Sequence, residues 1–404
     1  MNDEFTKSIL KSMEYERQRQ APPEEFPKFP TIPAGRYTDD KFFKLENEYL
    51  WAKSWLYVCH LDEIPETGSY LLWEKTGTPI ILLRDENRKV KAYYNSCRHR
   101  GGPLINEQKG KLEGRLICKY HGWCYALNGE LSLVRDKRDF IALNQKDLSL
   151  KSIKCERLGN WVFINEDPDA ASLIDYLQPL PQHLVQFQPE NLRLVDSRTY
   201  QVDCNVKVLL DAFFEVYHLT VVHKDTVDRF LDHRGTVIKL WENGHSVMIT
   251  PNRNPEWTDP GTIGMPVIES VTQIPAEHNM SFNMFPNLVT PMAGTGMPFL
   301  TFWPKTKSSM EIDCHWFAPE GSEEGFSELW ETRINNFERI LEEDLQFASQ
   351  LQNSVESPAF DGLNLNYQER RIYHWHEELD RRIGPDRIAE EMRVEPLLKN
   401  YLSE

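Results

Sequence analysis

No run in the 404 residues approaches the roughly 18 consecutive apolar side chains that a membrane-spanning helix requires. Basic charge is short as well: 46 Lys and Arg stand against 62 Asp and Glu, a formal net charge of −16. A surface of that sign repels phosphate, so neither nucleic acid nor an anionic membrane is an expected partner. The opening MNDEFTKSILKSMEYERQRQ lacks the apolar core of a secretion signal. No G-x-G-x-x-G occurs, since GTGMPF at 294–299 breaks off before the final glycine. Cysteine is sparse, odd in number and scattered (Cys59, Cys97, Cys118, Cys124, Cys155, Cys204 and Cys314). That pattern gives no disulfide framework and suits a reducing compartment, so a cytoplasmic protein is expected.

What is present supports real cores: 40% hydrophobic and 11% aromatic residues over a length that suggests two domains. Residues 1–38 read as a short helix followed by a proline-rich arm, APPEEFPKFPTIPAG, which must lie along another surface. FFKLENEYLWAKSWL, from Phe42 to Leu56, reads as helix. Residues 39–166 then turn to short apolar runs such as PIILLRD and NWVFIN, with Asn128-Gly129 as a hairpin turn, and predict a small all-β domain. Residues 167–404 mix strand-like runs with two longer helical segments, NVKVLLDAFFEVYHLTVVH and SELWETRINNFERILEEDLQFASQLQNSV. The fold class expected is α+β, with the second domain combining antiparallel sheet and helices.

Two pairs of ligand-type residues sit in loops of the β domain. Cys97 and His99 are one residue apart, Cys118 and His121 two apart, and each pair is followed by glycine. One tetrahedral zinc is cramped by C-x-H, although a zinc knuckle stays open as an alternative. Two irons bridged by sulfide relax the spacing, as in a Rieske [2Fe–2S] centre, where one iron takes two thiolates and the other two imidazoles. Gly101, Gly102 and Gly122 suit loops whose backbone must come close to the sulfides.

A second constellation lies in the helical segment. Asp211, Glu215 and His218 fall at i, i+4 and i+7, and His223 follows five residues later. Both histidines reach one metal only if the helix bends or ends between them. A metal-bound imidazole needs a carboxylate for its other N–H, which gives Asp211 and Glu215 candidate roles. In the later helix Ile334, Phe337, Leu341, Ala348 and Leu351 form an apolar stripe whose missing member is Asp344. A carboxylate in a core slot implies a cation, and His218, His223 and Asp344 would make a 2-His-1-carboxylate iron site. A buried Asp satisfied by hydrogen bonds is the rival reading. Glu342 and Glu343 are expected to point into solvent.

CRHRGGPL (97–104) and CKYHGWCY (118–125) resemble the Rieske domain of the Rieske non-heme iron oxygenases, in the α subunit of the aromatic-ring-hydroxylating dioxygenase family. EEDLQFASQLQNSV is similar to the segment that carries that family's carboxylate ligand, at Asp344. The resemblance runs from about residue 37 to about residue 384. It implies a Rieske domain followed by a helix-grip, START-like catalytic domain. The implied cofactors are a [2Fe–2S] cluster on Cys97, His99, Cys118 and His121 and a mononuclear Fe(II) on His218, His223 and Asp344. It also implies a homotrimer, with or without a small β subunit, in which Glu215 bridges His218 to a cluster histidine, His121. Many members carry Asp at that position. Ring-dihydroxylating members often show Asn just before the family's Phe, where this chain has Asp211-Ala212-Phe213.

The implied activity is oxidation of a small aromatic or apolar organic substrate with O₂, by hydroxylation or demethylation. Electrons would come from a separate NAD(P)H-dependent reductase, with or without a ferredoxin. Arene cis-dihydroxylation and quaternary-amine monooxygenation are the rival reactions, and an apolar-ligand binding module is the non-enzymatic rival. A simple Rieske electron carrier would need only the β domain. His374 and His376 are read as structural. Residues 281–303, rich in Met, Phe and Leu, are candidate pocket strands or ordinary core.

Overall fold

A computed structural model describes residues 3–254, 262–319 and 326–403. By compactness the chain divides into two units, Ala52–Leu173, and Met1–Trp51 together with Ile174–Glu404. Residues 39–51 thereby group with the C-terminal unit and 167–173 with the β unit.

In the β unit seven strands form an antiparallel sheet in the order Leu56–His60, Trp161–Asn165, Ser152–Leu158, Val90–Tyr94, Ile80–Arg84, Ser69–Trp73, Lys109–Lys111. Ile80 to Leu83 are fully buried, which explains why that strand is a continuous apolar run rather than an alternating one. A second sheet pairs Arg115–Ile117, Cys124–Ala126 and Leu131–Leu133, with Asn128-Gly129 turning the last hairpin as expected. Cys97 and Cys118 belong to the same buried cluster as Ile81, Leu116, Trp123 and Tyr125, so both loops grow from one core.

The C-terminal unit is a seven-stranded antiparallel sheet ordered Leu192–Val202, Ser309–Pro319, Met297–Thr306, Leu288–Met292, His278–Met284, Ser246–Pro251, Val237–Leu240. The long helix Phe326–Val355 packs against it, with Phe337 edge-on to Trp316 at 4.8 Å. Its stripe is buried at Ile334, Leu341 and Ala348, but Leu351 is half exposed. The helix Arg370–Ile383 is buried along most of its length. The N-terminal arm does lie along this unit: Phe29 stacks on Tyr373 at 4.3 Å and Phe26 meets Tyr367 edge-on. The stretch predicted as one helix from Phe42 is three helical pieces, Asp40–Leu45, Glu46–Leu50 and Trp51–Lys53, before the strand at Leu56.

NVKVLLDAFFEVYHLTVVH is not one helix either. Asn205 caps a helix Val206–Ala212, accepting the Lys207 N–H at 3.0 Å, and the chain then leaves helical geometry until Leu219–Val222. The cause is local: Glu215 Oε2 takes the backbone N–H groups of Tyr217 and His218, offering them an alternative to the helix ladder.

Candidate metal centres

The two loops of the β unit fold alike. Cys97 N–H donates to Gly102 and Gly101 N–H returns to Cys97; Cys118 N–H donates to Trp123 and Gly122 N–H returns to Cys118, all at 2.9 Å. Gly101 and Gly122 both sit at φ +72°, where a side chain is strained. Gly102 serves closeness instead, since a Cβ there would lie 3.4 Å from Cys118 Sγ. His99 Nδ1 and His121 Nδ1 are 3.1 Å apart, and the thiols of Cys97 and Cys118 face each other. Tyr125 accepts the Arg98 N–H at 2.9 Å, which leaves its own O–H for Cys97 Sγ at 3.2 Å.

These four groups do not close on one point. Among the described residues only His218, His223 and Asp344 place their ligand atoms all within 4.8 Å of one another. A thiol pair and an imidazole pair suit a two-iron cluster better than a single tetrahedral ion. All seven cysteines are free thiols, and Cys124 Sγ donates to the Gly122 carbonyl rather than bridging the loops.

In the C-terminal unit the end of the helix at Ala212 places His218 before, and His223 after, a single helical turn. His223 Nε2 lies 3.1 Å and His218 Nε2 3.6 Å from the same oxygen, Asp344 Oδ1. Each ring is gripped from behind. His218 Nδ1 donates to Glu215 Oε1, and His223 Nδ1 donates to Glu343 Oε2 at 2.6 Å. Thr226 Oγ1 also donates to that Glu343 oxygen, at 2.7 Å. With both Nδ1 protons committed to carboxylates, both Nε2 lone pairs face the space beside Asp344. Burial alone would lower the two imidazoles, but Glu215, Glu343 and Asp344 hold both above the usual histidine value. Two Nε2 atoms and a carboxylate oxygen converging in this way suit a cation, and two imidazoles with one carboxylate suit Fe(II).

Glu343 corrects the sequence reading, which sent it to solvent together with Glu342. Asp211, grouped by spacing with Glu215 and His218, does not touch either histidine. Its Oδ2 instead accepts the Tyr37 hydroxyl at 2.6 Å, and Tyr37 is 2.9 Å from His376 Nε2. Asp211, Glu215, His218, Asp344, Phe347 and Glu369 all line one cavity of about 600 Å³.

Residues 54–152 match the Rieske [2Fe-2S] domain and residues 189–385 the ring hydroxylating alpha subunit catalytic domain. The carnitine monooxygenase oxygenase subunit of Escherichia coli (strain K12) is 34% identical over 195 residues, 48% of this chain and 52% of that subunit. The chain thus spans about half the length of the curated relatives it matches. Two solved structures share the fold. A quaternary ammonium Rieske monooxygenase, described with carnitine oxidation and inter-subunit electron transfer, superposes with TM-score 0.75 at 22% identity over 90% of this chain and 99% of that one. Naphthalene 1,2-dioxygenase from Rhodococcus sp. gives TM-score 0.73 at 21% identity over 95% and 98%. With a cluster-type pair of loops in one unit and a histidine–carboxylate triad in the other, the chain belongs to the Rieske oxygenase α subunits, whose cofactors are a [2Fe–2S] cluster and a mononuclear iron.

Proposed function

We propose that the chain is the oxygenase component of a system that takes O₂ and electrons from a separate NAD(P)H-dependent reductase, with or without a ferredoxin. It hydroxylates or demethylates a small aromatic or apolar substrate. The observation that carries this reading is the placement of His218 and His223, whose Nε2 atoms share Asp344 Oδ1 while carboxylates hold both Nδ1 atoms.

In this reading His218, His223 and Asp344 hold Fe(II), and Cys97, His99, Cys118 and His121 hold the cluster. When bound, the mononuclear iron supplies coordination positions for O₂ and the cluster supplies single electrons. The chain's own residues do the rest. Glu215 and Glu343 fix the tautomer and tilt of the two imidazoles. Asp344 brings the negative charge that favours a divalent cation there. Leu209, Val222, Ala348 and Ile372 give the cavity beside the triad its apolar walls, whereas no residue of the Met- and Phe-rich stretch 281–303 lines it.

Tyr217, Val221, Phe347 and Leu351 are exposed apolar side chains on the segments that carry the triad. Their exposure supports seating a second copy of the chain there, in a trimer where Glu215 joins His218 to the partner subunit's His121. A quaternary-amine substrate is the second reading. It is favoured by the 34% identity to a carnitine monooxygenase subunit and by Ala212, where dihydroxylating members often carry Asn.

The test is a single turnover of the anaerobically reduced protein with O₂ and a panel of arenes, methoxy and N-methyl compounds and quaternary amines, read by mass spectrometry. One added oxygen, or a methyl lost as formaldehyde, is expected. Gain of two hydroxyls would make it a dihydroxylating enzyme, and no product from any class would overturn the reading.

A further inference from the structure

The hydrogen bonds behind the metal-site cavity run in one direction only. Arg36 Nε, which can only donate, points at His376 Nδ1 at 3.0 Å. His376 therefore carries its proton on Nε2 and donates to the Tyr37 oxygen at 2.9 Å. Tyr37 in turn donates to Asp211 Oδ2 at 2.6 Å. Every proton in the chain is assigned by its arginine end, and the series stops at the Asp211 carboxyl. The other oxygen, Oδ1, is buried and has no hydrogen-bond partner among the described residues. Asp211 is 6% exposed and lines the same cavity as Glu215, His218 and Asp344.

We propose that Asp211 is a proton store in the wall of this cavity, carrying a proton on Oδ1 and releasing it into the cavity during turnover. The proposal rests on the oxygenase reading. A monooxygenation balances as substrate R–H, O₂, two electrons and two protons giving R–OH and water, and the reductase supplies electrons without placing the protons. Asp211 supplies one of them. Its Oδ1–H bond breaks, the carboxylate stays held by the Tyr37 hydroxyl, and water entering the cavity that Asp211 lines returns the proton.

The surroundings fit a group that changes charge near neutrality. Burial pushes the Asp211 carboxyl up to about 7, against the lowering effects of Tyr37, Lys207 and Arg36, while Glu369 raises it. Those are the groups facing it: Tyr37 and Arg36 from the N-terminal segment, Lys207 from its own helix and Glu369 ahead of the helix Arg370–Ile383. Lys207 is itself tied to Glu46 at 2.7 Å, so its charge is committed elsewhere. Burial also raises Glu369 to about 7, and the experiment must separate the two carboxyls.

The full-length protein, labelled with ¹³C at aspartate only, is titrated across neutrality by infrared difference spectroscopy, as wild type, Asp211→Asn and Tyr37→Phe. A protonated aspartate band that is lost as pH rises through neutrality is expected in the wild type. It should be absent in Asp211→Asn and shifted to higher pH in Tyr37→Phe, where the stabilising donor to the carboxylate is gone. If Asp211→Asn does not fold, the Tyr37→Phe shift still assigns the band. Single turnover by folded Asp211→Asn with its iron retained should be slowed about 100-fold and lose its pH dependence across neutrality, with Asp211→Glu restoring part of both. A band that neither variant moves, or an Asp211→Asn protein with the wild-type pH profile, overturns the proposal. Absence of turnover in every variant, wild type included, would fault the oxygenase reading instead, and the infrared titration would still decide whether Asp211 holds the proton.

Discussion

Glu343 Oε2 stands 2.6 Å from Nδ1 of His223, and the next residue in the helix, Asp344, stands 3.1 Å from that ring's Nε2. Two consecutive acids thus clasp one imidazole from its two ends. The first fixes which nitrogen is protonated, and the second completes the ligand set. Removing the outer partner of a metal-bound histidine typically costs about 10- to 100-fold in metal affinity. Glu343→Gln is therefore expected to weaken iron or cobalt binding by that factor with little loss of thermal stability. Glu342→Gln, on the exposed neighbour, should leave binding unchanged. Equal affinities for both variants in a metal titration would refute the role given to Glu343.

That clasp marks where the sequence was legible and where it was not. Both His/Cys loops were readable because their ligands lie within a few residues and their glycines are required by local backbone geometry. Asp344 was readable as the acid in an apolar stripe. Glu343 was not, because adjacent positions on a helix diverge by about 100° and only the long Glu side chain turns back to His223. The break after Ala212 was hidden for a similar reason. Periodicity registers apolar faces, whereas Glu215 ends the helix by taking backbone N–H groups. Tyr37 and His376 lie 174 and 165 residues from Asp211, separations at which no local pattern can announce a contact.

The Tyr125 hydroxyl predicts a redox effect. It donates to Cys97 Sγ at 3.2 Å, and hydrogen bonds to cluster sulfurs raise the reduction potential by stabilising the more negative reduced state. Tyr125→Phe should keep the cluster and its visible spectrum but lower the potential, on the order of tens of millivolts. Protein-film voltammetry reads this directly, and an unchanged potential would remove Tyr125 from the list of tuning groups.

The matched φ of Gly101 and Gly122 separates strain from collision. A Cβ on Gly101 would meet nothing nearer than Ser96 Oγ at 3.8 Å, so Gly101→Ala carries the left-handed backbone penalty alone, about 1–2 kcal/mol. A Cβ on Gly122 would add a contact of 2.8 Å with Arg135 Cδ, the middle of a flexible side chain. Chemical denaturation should rank Gly122→Ala as the less stable, with Gly122→Ala/Arg135→Ala returning to the level of Gly101→Ala. Identical midpoints for the two single variants would show that Arg135 moves aside without cost.

His245 sets an acid limit on the C-terminal unit. It is fully buried, its Nε2–H donates to the Tyr176 carbonyl at 2.8 Å and its Nδ1 accepts the Phe285 N–H at 3.0 Å. Both nitrogens are used by the neutral ring, so protonation would break the bond from Phe285. Burial pulls the imidazole from 6.5 down to about 4, with the Tyr176 carbonyl opposing only in part. A histidine depressed in the fold binds its proton more readily when unfolded. Its contribution is therefore complete above 6.5, is lost progressively as pH falls towards 4, and changes no further below that. The window is worth roughly 3 kcal/mol for this one group. Urea midpoints should fall across that range, and nuclear magnetic resonance should show the His245 ring still neutral at pH values where a free histidine is charged. A His245 ring titrating near 6.5 in the folded protein would refute the assignment.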